Sequence, residues 1–372
     1  MTFLGLIFHN LAARRLRSAL TAAAVAIGVM AVLALGVLTS SLRETATQIL
    51  NIGKADFTIA QRHTDDIING TIGQSDIDRI GKLPGVEQAI GALIELDHYD
   101  AEHPGIIQVG LAPDAQEAFG VTLLKGRVYD ANSPQEVMLG YQLADSVKKA
   151  VGDTMTFGDH SYQVVGLYRT DVDFGNNTMM FPLTTLQGLN RKTGQVTLGF
   201  VKVRQKGRIQ QVAKEIDDEY PQLTTIRTVS DYGRADRNLT LIEAANTGGS
   251  ILAGLIAITG VLNTALLSFF ERVREFGLMR AIGWSRRRVL ALVLGETLVV
   301  SIVGAMFGVL LGWVAINLLQ DLQQLRGIFV PTYNAMVFTR ALVFATVVAF
   351  LGALYPAIRA ASLAPMEALR RE

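Results

Sequence analysis

The stretch "FFERVREFGLMRAIGWSRRR", residues 269–288, sets six arginines and two glutamates between two of the most apolar runs of the chain. Runs free of Lys and Arg lie at 18–41, 248–270, 289–319 and 341–358. A helix needs about 20 apolar residues at ~1.5 Å rise to cross ~30 Å of hydrocarbon. The first three runs meet that length and the fourth nearly does, which predicts four transmembrane helices. Half of the 372 residues are apolar and the net charge is +1, a more apolar and less charged composition than soluble domains usually have. There is no cysteine, so disulfides, thiol catalysis and Cys-ligated zinc or iron–sulfur sites are excluded.

Charge near the runs orients them, because cytoplasmic loops retain Lys and Arg. Arg14, Arg15 and Arg17 precede the first run, six arginines fall in 271–288, and Arg359, Arg370 and Arg371 follow the last. The other short loop, 320–340, holds only Arg326 and Arg340. The bias predicts both termini on the cytoplasmic side of the membrane and residues 42–247 outside the cytoplasm. A cleaved signal peptide is the alternative for the first run. That run exceeds the usual core of about 7–15 residues, and three later spans favour an uncleaved anchor.

Residues 42–247 have soluble composition and length enough for a domain. Residues 154–157 and 162–165 alternate on either side of Gly158-Asp159, a hairpin signal. Residues 76–82 read as a helix stopped by Pro84-Gly85. The expected fold is therefore an α-helical membrane protein with four transmembrane helices and a large α+β extracytoplasmic domain inserted between the first and second. A subdivision of that domain into about 42–105 plus 190–247, and about 106–189, is expected.

Within the quoted stretch, Glu271/Arg274 and Arg272/Glu275 are spaced as helical pairs, and Gly283 is a stop. Arg286, Arg287 and Arg288 stand where a following helix would begin, although a helix N-terminus favours acids. Anionic lipid headgroups, worth about 1 kcal/mol per basic residue, or an acidic protein partner would favour them. Val273, Phe276, Leu278, Met279 and Ile282 are too apolar for a bare surface loop and suggest docking.

Residues 260–312, "GVLNTALLSFFERVREFGLMRAIGWSRRRVLALVLGETLVVSIVGAMFGVLLG", closely resemble the permease signature of the MacB/FtsX-like (type VII) ABC transporter family. The matching positions are Asn263, Glu271, Arg272, Glu275, Gly277, Arg280, Ala281, Gly283, Arg286 to Arg288 and Glu296, with Trp284 departing from the usual small residue. The closing "LYPAIRAASLAPMEALRRE" resembles the family's fourth span and cytoplasmic tail (359–372). Residues 1–17, with Phe3, Leu4, Ile7 and Leu11 on one face, look like its amphipathic leading helix. "LPGVEQAIGAL", the stretch "LLKGRVYDANSPQEVMLGYQLADSVKKAVGDTMTFGDHSYQVVGLY" and "FPLTTLQGL" resemble the MacB-like periplasmic core domain.

The resemblance implies a dimeric permease, paired with a second copy or a paralogue, that transmits ATP-driven closure to its external domain. This motion, called mechanotransmission, would serve efflux or extraction of a hydrophobic or amphipathic substrate. An FtsX-like relay to cell-wall enzymes outside is the alternative; about 200 external residues resemble the MacB-like core more than the smaller FtsX domain. No G-x-x-x-x-G-K-[ST] occurs, so no cofactor is expected on this chain, and ATP with Mg²⁺ is expected on a separate ATPase subunit. Only about 17 residues precede the first span, which supports that expectation. The docking helix is expected at 271–283, with Glu271, Arg272, Glu275, Phe276, Gly277, Met279, Arg280 and Gly283 coupling to the ATPase. Arg272, Arg280 and the arginine triplet would pair with its acids, and Phe276 and Met279 would fill its groove. Membrane lipids and an extracytoplasmic protein are further expected partners; nucleic acid is not.

Glu296 is the only acid inside an expected span. It lies ~12 Å along the helix from Arg288 and is expected to bond a neighbouring helix or an arginine, with proton coupling the alternative. Asn263 is expected to act as interhelical glue. Gly304, Gly308 and Gly312 recur every four residues and mark a helix-packing face. Asp97, His98, Asp100, Glu102 and His103 cluster without metal-ligand spacing, and no metal site or catalytic constellation is expected.

Overall fold

In the computed structural model, the described residues are 5, 7, 10, 15–50, 52–64, 66–99, 105–157, 159–320 and 331–363. They divide into one unit formed by 1–40, 243–319 and 331–372, and a second formed by 41–242 and 320–330.

Four long helices are apolar enough to cross a membrane: Arg15–Leu50, Arg237–Glu271, Arg286–Gln320 and Ala335–Ser362. The first two, of 36 and 35 residues, rise over ~50 Å, well beyond a hydrocarbon core of ~30 Å. Each therefore outruns its apolar segment, 18–41 or 248–270, because Thr-, Glu-, Arg- and Ala-containing flanks propagate a helix once the apolar centre has formed it. The fourth helix also begins earlier than 341. The Asn334 side chain caps it by accepting from the backbone N–H of Met336, so residues 335–340 of the expected loop are helical. Residues 1–4, 321–330 and 364–372, and with them most of the leading helix, the external loop and the tail, lie outside the described residues.

The expected docking helix 271–283 and the arginines after it fall in three pieces. Glu271 completes the second long helix, Val273–Ala281 is a separate helix, and Arg286 to Arg288 form the first turn of the third. Arg272 makes the break, with φ −108° and ψ 11°. The stop after Ala281 is a Schellman closure: Gly283 N–H bonds Arg280 O at 3.2 Å, and Trp284 N–H bonds Met279 O at 3.0 Å. Gly283 takes φ +95°, which a Cβ would disfavour.

The second unit is built on a mixed sheet. Its strands are β1 (Phe57–Gln61), β2 (Ile72–Gly73), β3 (Val86–Asp97), β4 (Ile106–Leu111), β5 (Thr122–Gly126), β6 (Glu136–Gly140), β7 (Thr154–Phe157), β8 (His160–Arg169), β9 (Thr178–Pro182), β10 (Gln195–Val196), β11 (Leu198–Val203) and β12 (Leu223–Ile226). The main sheet runs β12-β1-β11-β3-β4-β9-β6-β8-β5, with β7 on β8, and β10 pairs β2 separately. β4/β9 and β6/β8 are parallel; the other pairs are antiparallel. The hairpin β7/β8 closes with Phe157 opposite His160.

The expected subdivision near 105 and 190 meets a continuous sheet. β3 pairs β11 through its first half and β4 through its second, so one strand serves both stretches. One buried cluster spans both stretches, with Ile90, Val109, Met138, Tyr168 and Phe200 in it, while a second lies within 42–105 plus 190–247 and a third, apart from Leu93, within 106–189. Asp100, Glu102 and His103 of the acidic loop lie outside the described residues.

Candidate functional site

The charged stretch folds onto the third and fourth long helices. Phe269, Val273, Phe276, Val289, Val293, Ala357 and Ala360 form a buried cluster, with Met279 and Trp284 packed at its margin. Trp284, the residue that departs from the expected pattern, packs against this cluster. Phe276 stacks on Phe269 at 6.4 Å between centroids.

Arg272 sits against that cluster, only 3 % exposed. A buried guanidinium is costly unless charges answer it. Its Nη1 donates to Glu296 Oε2 at 2.5 Å and its Nε to Glu275 Oε2 at 2.8 Å, while its Cζ lies 4.8 Å from the Phe276 ring centre. The second oxygen of Glu296 accepts from Asn10 Nδ2 at 2.7 Å. Beside this network Arg17 pairs with Glu271, and Thr21 Oγ1 donates to Thr264 Oγ1 at 2.8 Å. Three helices are thereby tied at one level by charge and hydrogen bonds.

Two of the expected docking residues are thus turned inward. Arg272 and Phe276 belong to the chain's own packing, because a buried ion pair and a ring cluster stabilise the junction from within. Gly277 is buried as well. Glu275 is half-exposed and holds Arg272; Arg280 is half-buried and donates to Trp284 O at 2.6 Å. Met279 packs at the cluster's edge. The outer face presents Arg274, Leu278 and Ile282 at intervals of four, with Leu278 55 % and Ile282 70 % exposed. Arg286 to Arg288 are exposed beyond it.

Asn263 is exposed, and the interhelical bond expected of it is made by its neighbour Thr264. Gly304, Gly308 and Gly312 do form a packing face, on the first helix. A Cβ would meet Ala22 O at 2.6 Å from Gly304, Ala26 O at 2.6 Å from Gly308, and Leu33 Cδ2 at 2.7 Å from Gly312.

The family profile of the MacB-like periplasmic core domain matches residues 18–219, and that of the FtsX-like permease C-terminal region matches 248–365. The chain belongs to the MacB/FtsX-like family of ABC transporter permeases. Four apolar helices together with that membership make it a multi-pass inner-membrane protein. It is 25% identical over 97% of its length to the macrolide export ATP-binding/permease protein MacB of Bordetella avium, of which it covers 58%. It is 23% identical over 98% of its length to an uncharacterized ABC transporter permease of Methanocaldococcus jannaschii, of which it covers 96%. The chain thus spans less than two thirds of the length of the MacB relative. The periplasmic region of MacB from Actinobacillus actinomycetemcomitans aligns with 50% of this chain and 94% of its own at 12% identity and a TM-score of 0.39.

Against the MacB/FtsX-like signature, the residue types were legible but not their facing. Leu278 and Ile282 stand among the apolar residues of the stretch, and Asn10 precedes the first arginines. Only the side on which Arg272 is buried separates the outer pair from the inner one.

Proposed function

We propose that this permease receives ATP-driven closure of a partner ABC ATPase on the helix Val273–Ala281 and passes it to the sheet domain, for export or extraction of a hydrophobic or amphipathic substrate. The division of that helix into two faces carries the reading. Its inner face is bound to the third helix through Arg272 and Glu296 and packs with the fourth through Ala357 and Ala360. Its outer face, continued by the C-cap residue Ile282, offers two exposed aliphatic side chains four residues apart beside a basic end, the form of a helix that lies in a partner's groove. A force on the outer face then reaches both membrane helices through contacts too short to absorb it.

ATP and Mg²⁺ would be held by an ABC ATPase, since residues 1–372 themselves offer no G-x-x-x-x-G-K-[ST] cradle. Positive charge on the segments flanking the helices favours a cytoplasmic position for the docking helix and both termini, with the sheet domain outside. Asn263, exposed on an apolar helix, favours a second copy or a paralogue there, because an amide facing hydrocarbon without a partner is costly. Arg286 to Arg288 would rest on lipid headgroups. The macrolide-export name of the MacB relatives makes amphipathic compounds the substrate class to try first.

The test is the double substitution Leu278→Asp/Ile282→Asp, assayed by stimulation of the cognate ATPase in reconstituted vesicles. Each exposed side chain would contribute about 1.5–3 kcal/mol on burial, so co-purification is expected to weaken at least about tenfold while the permease stays folded. Full stimulation by the double variant would overturn the docking assignment.

A further inference from the structure

The sheet domain contains a basic cavity that the transport reading does not use. Its volume is about 790 Å³, and it lies where the turn after β1, the strand β12, the helix Val229–Ala235 and the residues from Arg237 converge. Arg62, Arg227, Arg234 and Arg237 line it, against two acids, Asp217 and Asp231. Among the described lining residues, four arginines stand against two carboxylates inside a concave surface, where low-dielectric walls concentrate the field.

The two carboxylates are already occupied. Asp217 accepts from the backbone N–H and the hydroxyl of Thr225, each at 2.8 Å, and Arg62 Nη2 stands 3.6 Å away. Asp231 completes a capping box with the N-cap Thr228, accepting from its N–H at 3.0 Å, and it pairs with both Arg234 and Arg227. Burial pushes the Asp231 carboxyl up, but the hydrogen bonds from Arg234, Thr228 and the backbone outweigh this and hold it below the usual carboxylate range. It is therefore ionised at neutral pH and has little accepting capacity left.

The guanidiniums of Arg62 and Arg227 retain donors. Each carries five N–H groups in a planar fork suited to phosphate or carboxylate. Arg62 spends Nε on Leu223 O at 2.8 Å. Arg227 bonds Gln210 through Nη1, and its buried Nε makes no hydrogen bond, with Asp231 Oδ2 facing it at 3.9 Å as an ion-pair partner only. His63, on the cavity wall, holds φ +58°, the left-handed region that non-glycine residues seldom occupy. Such a conformation persists where surrounding structure enforces it, often at ligand clamps.

We propose that this cavity binds a small polyanion presenting at least two phosphate or carboxylate groups, held by Arg62, Arg227, Arg234 and Arg237. The volume exceeds that of a single phosphate and falls within the range of ligand pockets, about 300–1,000 Å³. A soluble diphosphate and the phosphorylated headgroup of a lipid share this chemistry.

The test uses the full chain in nanodiscs of zwitterionic phosphatidylcholine, titrated calorimetrically at low ionic strength. Pyrophosphate is the first probe and water-soluble dihexanoyl phosphatidylinositol 4-phosphate, a lipid with two phosphates, the second. Saturable binding of one molecule per chain is expected. Arg234→Gln/Arg237→Gln, at two exposed positions, should weaken it at least about tenfold, the worth of one charge-assisted hydrogen bond. Lys125→Gln/Lys148→Gln removes as much charge elsewhere on the domain and should leave binding unchanged. Tighter binding of pyrophosphate assigns the site to a soluble polyanion, and tighter binding of the lipid to a headgroup. Absence of saturable binding by both probes, or equal loss in the two double variants, would overturn the proposal.

Discussion

Arg272 is placed where a guanidinium has almost no access to water, and its retention depends on Glu296. Removing one member of a buried pair strands the other charge and costs about 3–5 kcal/mol, whereas replacing both with apolar residues of similar size is often near neutral. Glu296→Leu is therefore expected to lower unfolding stability in detergent by about that amount. Arg272→Met/Glu296→Leu should recover most of the loss. A double variant no more stable than the single one would show that the pair does not act as a unit. The sequence marks Glu296 plainly, as the only acid within an apolar run. It does not mark Arg272 as its partner. Apolar residues 273, 276, 278, 279 and 282 run round the short helix instead of along one stripe, so periodicity leaves open which face is buried. The ion pair closes that choice, and it joins positions 24 residues apart.

At the scale of elements, the glycines at 304, 308 and 312 let the third helix approach the backbone of the first. A methyl group at Gly308 would lie 2.6 Å from Ala26 O and 2.8 Å from Val29 Cβ, so the helices would have to separate. Gly308→Ala should lower thermal stability by about 1–3 kcal/mol, measured by unfolding in detergent. Gly248→Ala is the contrast, since nothing lies within 4 Å of its Cβ direction. There, the gain in helix propensity, about 1 kcal/mol, should leave stability unchanged or raised. Equal destabilisation at both positions would refute the close-approach account. The repeat at every fourth residue was visible in the sequence; that its counterpart is the first helix, and not another copy, follows only from the packed structure. The hairpin β7/β8 and the helix Gln74–Ile80 were legible because local turn chemistry sets them. The shared strand β3 was not, because its two pairings are made with strands far along the chain.

For the whole molecule, the central claim is that Leu278 and Ile282 face a partner ATPase on the cytoplasmic side while Arg272 and Phe276 face the chain's own helices. Four apolar segments, the inserted domain and the charged stretch could be read directly from composition and motif. The direction of coupling could not, since it depends on side-chain facing within one nine-residue helix. The chain has no cysteine, so a single introduced thiol reports its own surroundings. The most direct measurement is modification of Ile282→Cys by a membrane-impermeant maleimide on inside-out vesicles, with and without the cognate ATPase. Rapid labelling of the permease alone and protection on addition of the ATPase are predicted, with Phe276→Cys unreactive in both states. Labelling of Ile282→Cys that is equally rapid with the ATPase bound, or that occurs only on right-side-out vesicles, would contradict the account.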